Sequence, residues 1–252
     1  MIDEKTFNEA CAKVIGISRD RVGIGTQSEK TLHLVLKNCF EPDESKHEVK
    51  IKRFIADIKN DYGITEIQTR AFNAMRKKLA FFLTLGNVRI VYPVPYEKNV
   101  IWIDPETGET SKPHKSPKKG SGFDIFAELY KIKPFLLDPR LSFSIVFLDM
   151  NEYKLLNGWS RDKKRGSTRH ERIPTRYRGV LEIDSPDDYV KLIPEGLPAE
   201  FGSKDLAKSA HRTVYRARTA LNVLAYVGAV ELIGKNKRAN VYEIKKTPPD
   251  HV

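Results

Sequence analysis

The run Ala56-Asp57-Ile58-Lys59-Asn60-Asp61-Tyr62-Gly63-Ile64-Thr65-Glu66-Ile67-Gln68 sets two short apolar alternations on either side of a turn signal. Gly63 supplies the backbone freedom that a tight hairpin requires, and the polar residues from Asn60 onward suit its loop. Closing the hairpin across residues 59–64 pairs Ile58 with Thr65 and Asp57 with Glu66. Two carboxylates directly opposed across a sheet repel by a few tenths to about 1 kcal/mol. A divalent cation converts that repulsion into coordination. Alternation places Asp57 in parity with Val49, Ile51 and Ile55, at the end of an apolar strand face, with Glu48 on the opposite face. Glu66 and Gln68 share a face beside Asp57, so three oxygen-bearing side chains are expected to converge.

Outward from this hairpin, a helix is expected over residues 28–40, with Leu32, Leu36, Cys39 and Phe40 as its buried stripe. Glu29 lies one turn before Leu32 on that stripe. It can serve the site or simply favour the positive end of the helix. Strands are expected over 47–58 and 64–69, a long amphipathic helix over 72–85, and further strands at 88–92, 100–103 and 143–148. Arg70, Arg76, Lys77 and Lys78 are expected on the outside of that helix. The fold class is mixed α/β, a central sheet flanked by helices.

The chain has 252 residues, 44 Lys+Arg and 33 Asp+Glu, hence a net charge of +11 that attracts polyanions. Residues 161–178 hold eight of the cations against two acids, a net +6. Such a block, with Lys163, Lys164, Arg165 and Arg169, is expected to be a loop that an anion orders. Cys11 and Cys39 fit neither a disulfide framework nor a metal knuckle, so a reducing cytoplasmic setting is expected. No apolar run approaches a membrane span of about 20 residues, and the charged start does not read as a signal peptide. Histidines at metal-ligand spacing, phosphate-loop glycines and a nucleophile elbow are absent from the sequence.

An Asp ending one strand, Glu-x-Gln on its neighbour and a Glu on a preceding helix resemble the PD-(D/E)xK nuclease superfamily, the restriction-endonuclease-like fold, over about residues 25–150. The matching residues are Asp57, Glu66-Ile67-Gln68 and Glu29; Ala56 stands where the motif has proline and Gln68 where it has lysine. The resemblance implies phosphodiester hydrolysis with Mg²⁺ or Mn²⁺, which lowers the pKa of an attacking water and stabilises charge on the leaving oxygen. In that reading Asp57, Glu66 and the Ile67 carbonyl hold the metal, and Glu29 completes its outer shell. Gln68 can be neither base nor cation, so it orients the water or a phosphate by hydrogen bonding.

After Pro186 the pattern changes to short helices and a terminal hairpin. Ser203 is expected to cap a short helix; a longer one over 211–226 carries an apolar stripe from Val214 to Leu224. Arg212, Tyr215, Arg216 and Thr219 share its opposite face. A hairpin follows around residues 234–239, with Lys235, Lys237 and Arg238 at its tip. Helix, turn, helix and basic hairpin resemble a winged-helix domain, with Arg212 and Arg216 for phosphate or guanine and Lys235, Lys237 and Arg238 for the backbone or minor groove. The expected division is a nuclease domain at 1–190 and a winged-helix DNA-binding domain at 191–252. Together these expectations describe a metal-dependent DNA endonuclease of restriction, defence or mobile-element type, in which double-strand cleavage calls for a homodimer or two sequential nicks. The alternative is a DNA-binding regulator whose nuclease-like domain has lost activity.

Overall fold

A computed structural model of the protein describes residues 2–19, 31–158 and 166–245. Glu29, Lys163, Lys164 and Arg165 lie outside them. In chain order the elements are α1 (Glu4–Arg19), α2 (Thr31–Phe40), β1 (His47–Ile51), β2 (Phe54–Asn60), β3 (Gly63–Ile67), α3 (Phe72–Leu83), β4 (Val88–Ile103), β5 (His114–Lys115), α4 (Phe126–Leu129), β6 (Leu141–Leu155), β7 (Thr168–Ile183), β8 (Glu200–Phe201), α5 (Ser203–Ser209), α6 (Val214–Tyr226), β9 (Val230–Asn236) and β10 (Ala239–Ile244). Short 3-10 turns span Gly122–Ile125, Tyr130–Phe135 and Pro186–Leu192. The fold is mixed α/β. A seven-stranded sheet has the order β1-β2-β3-β4-β6-β7 with β5 beside β4, and a three-stranded sheet has the order β8-β10-β9. β1 and β2 are antiparallel, whereas β3 and β4, joined through α3, are parallel.

Residues cluster into two compact units that interleave along the chain. The first holds Met1–Asn60, Pro93–Ser121 and Val146–Val180; the second holds Asp61–Tyr92, Gly122–Ile145 and Leu181–Val252. In the first, Phe7, Val35, Leu36, Ala56, Ile58 and Met150 are buried. In the second, Phe72, Leu79 and Phe82 of α3 are buried, as are Ile90, Phe126, Phe143 and the α6 stripe Ala217, Leu221 and Leu224. α6 packs on α4 and on the 130–135 turn as well as on α5. The C-terminal helices therefore share a core with α4.

Three local expectations change. The strand expected over 47–58 folds back at residues 52–53, where Lys52 takes φ +53°, and Val49 pairs with Ala56 and Ile51 with Phe54. Parity therefore does not run through the whole segment: Ala56 and Ile58 are buried, while Ile55, on the face of Asp57, is 51% exposed. Asp57 does not end an apolar face. Second, residues 88–92 and 100–103 belong to the single 16-residue strand β4. Third, residues 168–178 of the basic block form most of β7 rather than a loop. Acidic residues on β6 neutralise part of its charge, and as the last strand in the sheet order it tolerates Pro174, which cannot donate to a neighbouring strand.

Candidate functional site

In the first unit, α2 delivers two side chains one helical turn apart to neighbouring strands. His33 Nε2 lies 3.1 Å from Asp57 Oδ2, and Lys37 Nζ donates to Glu48 Oε1 at 2.7 Å. The contacts put Glu48 on the same side as Asp57, contrary to the parity reading, because Val49, its neighbour, pairs with Ala56 across the turn. Lys37 is 2% exposed, so its ammonium requires the carboxylate it meets. Glu48 has φ +50°, a sterically costly value for a non-glycine residue.

In the second unit, Glu66 is 5% exposed on β3 and forms an ion pair with Lys78 of α3 at 2.5 Å. Lys78 thus turns inward along the flank of its helix, with its ammonium 5.5 Å from the Phe82 ring centre. Its periodicity, next to buried Leu79 and one turn before Phe82, was the available signal; its charge pointed the other way. The position of α3 is fixed at its start, where the buried Glu128 carboxylate accepts the Phe72 N–H at 2.9 Å. Ala71 precedes it with φ +61° and no side-chain cap, so Glu128 takes over the capping role. Gln68 follows β3 directly. Its backbone N–H donates to the Val91 carbonyl at 2.9 Å, and its side-chain amide hydrogen-bonds to no described residue.

Asp57 belongs to the first unit and Glu66 and Ile67 to the second, and each carries an oxygen of the chemical type that hard divalent cations take. Among the described residues no group of three or more His, Cys, Asp and Glu side chains is gathered closely enough to hold a metal ion. Burial raises the Cys11 thiol to about 11 and the Cys39 thiol to about 12, which leaves neither as a thiolate nucleophile at neutral pH.

The C-terminal candidates divide into two groups. Arg212 donates through Nε and Nη2 to the two oxygens of Asp124, both at 2.8 Å, and Arg216 Nη1 donates to Asp124 at 3.0 Å. Asp124 thus occupies both arginines with the paired geometry that a phosphate would use. Tyr215 is 79% exposed. Thr219 donates back to the Tyr215 carbonyl of its own helix. Lys235, Lys237 and Arg238 are all exposed, on β9 and on the two-residue turn to β10, where Lys237 has φ +55°. The expected Ser203 cap is replaced by Gly202, whose N–H donates to Asp205 at 2.8 Å.

Arg169 belongs to a third cluster, in the first unit. Glu152 on β6 is 1% exposed and meets Lys98, Lys154, Arg169 and Arg172. Burial pushes its carboxyl up, but the charges of Lys98, Arg172 and Arg169 more than offset this and hold it below its ordinary value of 4.5. A depressed folded-state pKa stabilises the protein above the unfolded value and loses that contribution as pH falls through the folded one. The stability gap between wild type and Glu152→Gln, read from denaturant midpoints, is therefore expected to narrow below about pH 4.5. A gap independent of pH contradicts the assignment.

Residues 30–184 match the model of a family described as Domain of unknown function (DUF8091). The chain belongs to this family. The DUF8091 segment includes Asp57, Glu66, Gln68, Lys78 and Glu152 and stops before the turn at Pro186–Leu192. An uncharacterized protein of Treponema pallidum (strain Nichols) is 30% identical over 233 residues, 90% of this chain and 88% of that one. That similarity extends past the DUF8091 segment into the C-terminal elements. No solved structure matches the chain. Among the described residues no helix is long and apolar enough to cross a membrane.

Proposed function

We propose that the protein is a metal-dependent endonuclease that hydrolyses DNA phosphodiesters, with a restriction-endonuclease-like core and a winged-helix reader. The observation that carries this reading is the element order α2-β1-β2-β3-α3-β4, with β3 and β4 parallel and Glu66-Ile67-Gln68 at the end of β3. The resemblance implies a helix, a strand ending in Asp57 and a neighbouring strand with Glu66; the turn at residues 52–53 adds β1 to that order. In this reading Asp57 and Glu66, opposed by the hairpin pairing that the sequence predicts, hold Mg²⁺ or Mn²⁺ with the Ile67 carbonyl. When bound, the ion supplies Lewis acidity and a more acidic water. Gln68 orients the water or a phosphate oxygen with its uncommitted amide. Lys78 supplies the positive charge that position 68 lacks, next to Glu66. His33 holds Asp57 in one orientation.

The C-terminal elements support the reader. α5, α6 and the β9–β10 ribbon, with β8 alongside β10, follow the helix, helix and wing order, and the exposed Lys235, Lys237 and Arg238 suit backbone contacts. Arg212 and Arg216 reach DNA by exchanging Asp124 for phosphate. Asp124→Asn is therefore expected to tighten binding of a labelled duplex by about fivefold at low salt, in line with a surface ion pair of up to about 1 kcal/mol. Unchanged or weaker binding removes the two arginines from the interface.

A second reading, a DNA-binding regulator without nuclease activity, draws on the ion pair that already occupies Glu66. Metal-dependent nicking by the wild-type chain, lost in Asp57→Ala and Glu66→Ala, supports the hydrolase; DNA binding without any cleavage supports the regulator.

A further inference from the structure

Four cations from three neighbouring strands surround one buried carboxylate. Lys98 Nζ of β4 lies 3.1 Å from Glu152 Oε1, and Lys154 Nζ of β6 lies 3.9 Å from the same oxygen. Arg169 Nε and Arg172 Nε of β7 lie 3.2 and 3.1 Å from Oε2. A buried carboxylate needs one or two such partners to offset its desolvation. This one has more cations than it can neutralise, and they repel one another: burial first, and Arg172 and Lys154 in addition, hold the Lys98 ammonium below its ordinary value. Arg172 spends only Nε on Glu152. Its two terminal nitrogens donate to no described residue, although the side chain is only 16% exposed. A guanidinium held in this way presents its forked end to an incoming oxyanion.

We infer that this array is a platform for the phosphate backbone of nucleic acid, with Lys98, Lys154 and Arg172 as its ligands and Glu152 as the positioning residue that holds them. The inference rests on the reading that the protein acts on DNA and gives that reading a second contact surface, in the first unit. β4, β6 and β7 are neighbours in the sheet, so three strands bring their cations to one place around Glu152 and concentrate positive charge where a backbone phosphate can sit. Along β4, the half-exposed Tyr96 ring has Lys119 and Arg178 each 5.5 Å from its centre. An aromatic face among cations is the combination that accepts stacked bases beside a bound backbone.

Binding is measured on the full chain by fluorescence anisotropy of a labelled oligodeoxynucleotide, single-stranded and duplex, in EDTA so that cleavage plays no part. Lys154→Gln and the double variant Lys98→Gln/Arg172→Gln are compared with wild type over a salt series, with folding checked by thermal melting. The slope of log K against log[salt] should fall by about 0.7 to 0.9 for each phosphate contact removed. Glu152→Asp, which keeps the charge but shortens the reach of the carboxylate, should weaken binding as well; a purely structural carboxylate would leave affinity unmoved. Lys154 is partly exposed, so its variant tests the idea even where the double variant melts too early to assay. Wild-type affinity and slope in the folded variants overturn the proposal. A wild-type chain that binds as proposed but, assayed separately with Mg²⁺, cuts no DNA supports the platform and overturns only the hydrolase, whereas a wild-type chain that binds no DNA overturns the platform.

Discussion

Supercoiled plasmid incubated with the wild-type chain and Mg²⁺ or Mn²⁺ is expected to be nicked, and Asp57→Ala or Glu66→Ala to lower the rate by at least about a hundredfold, the upper part of the range for losing a group that supports a metal. Each carboxylate would supply charge that neither Gln68 nor a water can replace. EDTA should abolish the activity of wild type. Gln68→Ala should cost less than either carboxylate, since an amide contributes by hydrogen bonding alone, and Gln68→Lys should retain activity if position 68 faces the phosphate. Persistence of nicking in both carboxylate variants would sink the assignment of the site, and absence of nicking in wild type on any DNA would leave the regulator.

Lys78→Met is expected to be among the most destabilising substitutions in the chain, by about 3 to 5 kcal/mol, because it removes the ammonium that pairs with the Glu66 carboxylate in a site that is 5% exposed. For a domain of this size each kcal/mol shifts the melting temperature by about 2 to 4 °C, so the loss should be visible as roughly 10 °C. The double variant Glu66→Met/Lys78→Met should recover much of that stability, since an apolar pair of similar volume often matches a buried ion pair. It should not recover cleavage. That separation distinguishes a pair kept for function from one kept for packing: a Lys78→Met protein that melts like wild type would mean that Glu66 finds solvent or another cation, and a double variant that still cuts would remove Glu66 from the chemistry.

The fold is more legible in the sequence than the pairing of its charges. Apolar periodicity locates α3, whose buried residues Phe72, Met75, Leu79 and Phe82 recur at helical spacing. The Asn60–Gly63 signal locates the turn between β2 and β3, and the basic tip locates the β9–β10 ribbon. The reversal at Lys52 and Arg53 is missed because neither residue is a turn former, and Lys52 accepts a positive φ that composition does not announce. That single turn inverts which face Asp57 occupies, since side-chain direction alternates with a period of two and the count restarts after every reversal.

What the sequence by itself determined is the mixed α/β class, the positions of α3 and of the β2–β3 turn, the helix and ribbon order at the C-terminal end, and an excess of positive charge concentrated after residue 160. What only the tertiary structure decided is which carboxylate each cation meets: Lys37 with Glu48, Lys78 with Glu66, Arg212 with Asp124, and Lys98 and Arg172 with Glu152. Backbone preference and apolar patterning are local and leave a mark on neighbouring residues. Lysine and arginine side chains are long, flexible and indifferent to their own periodicity, so they take the direction in which an acid from another element lies.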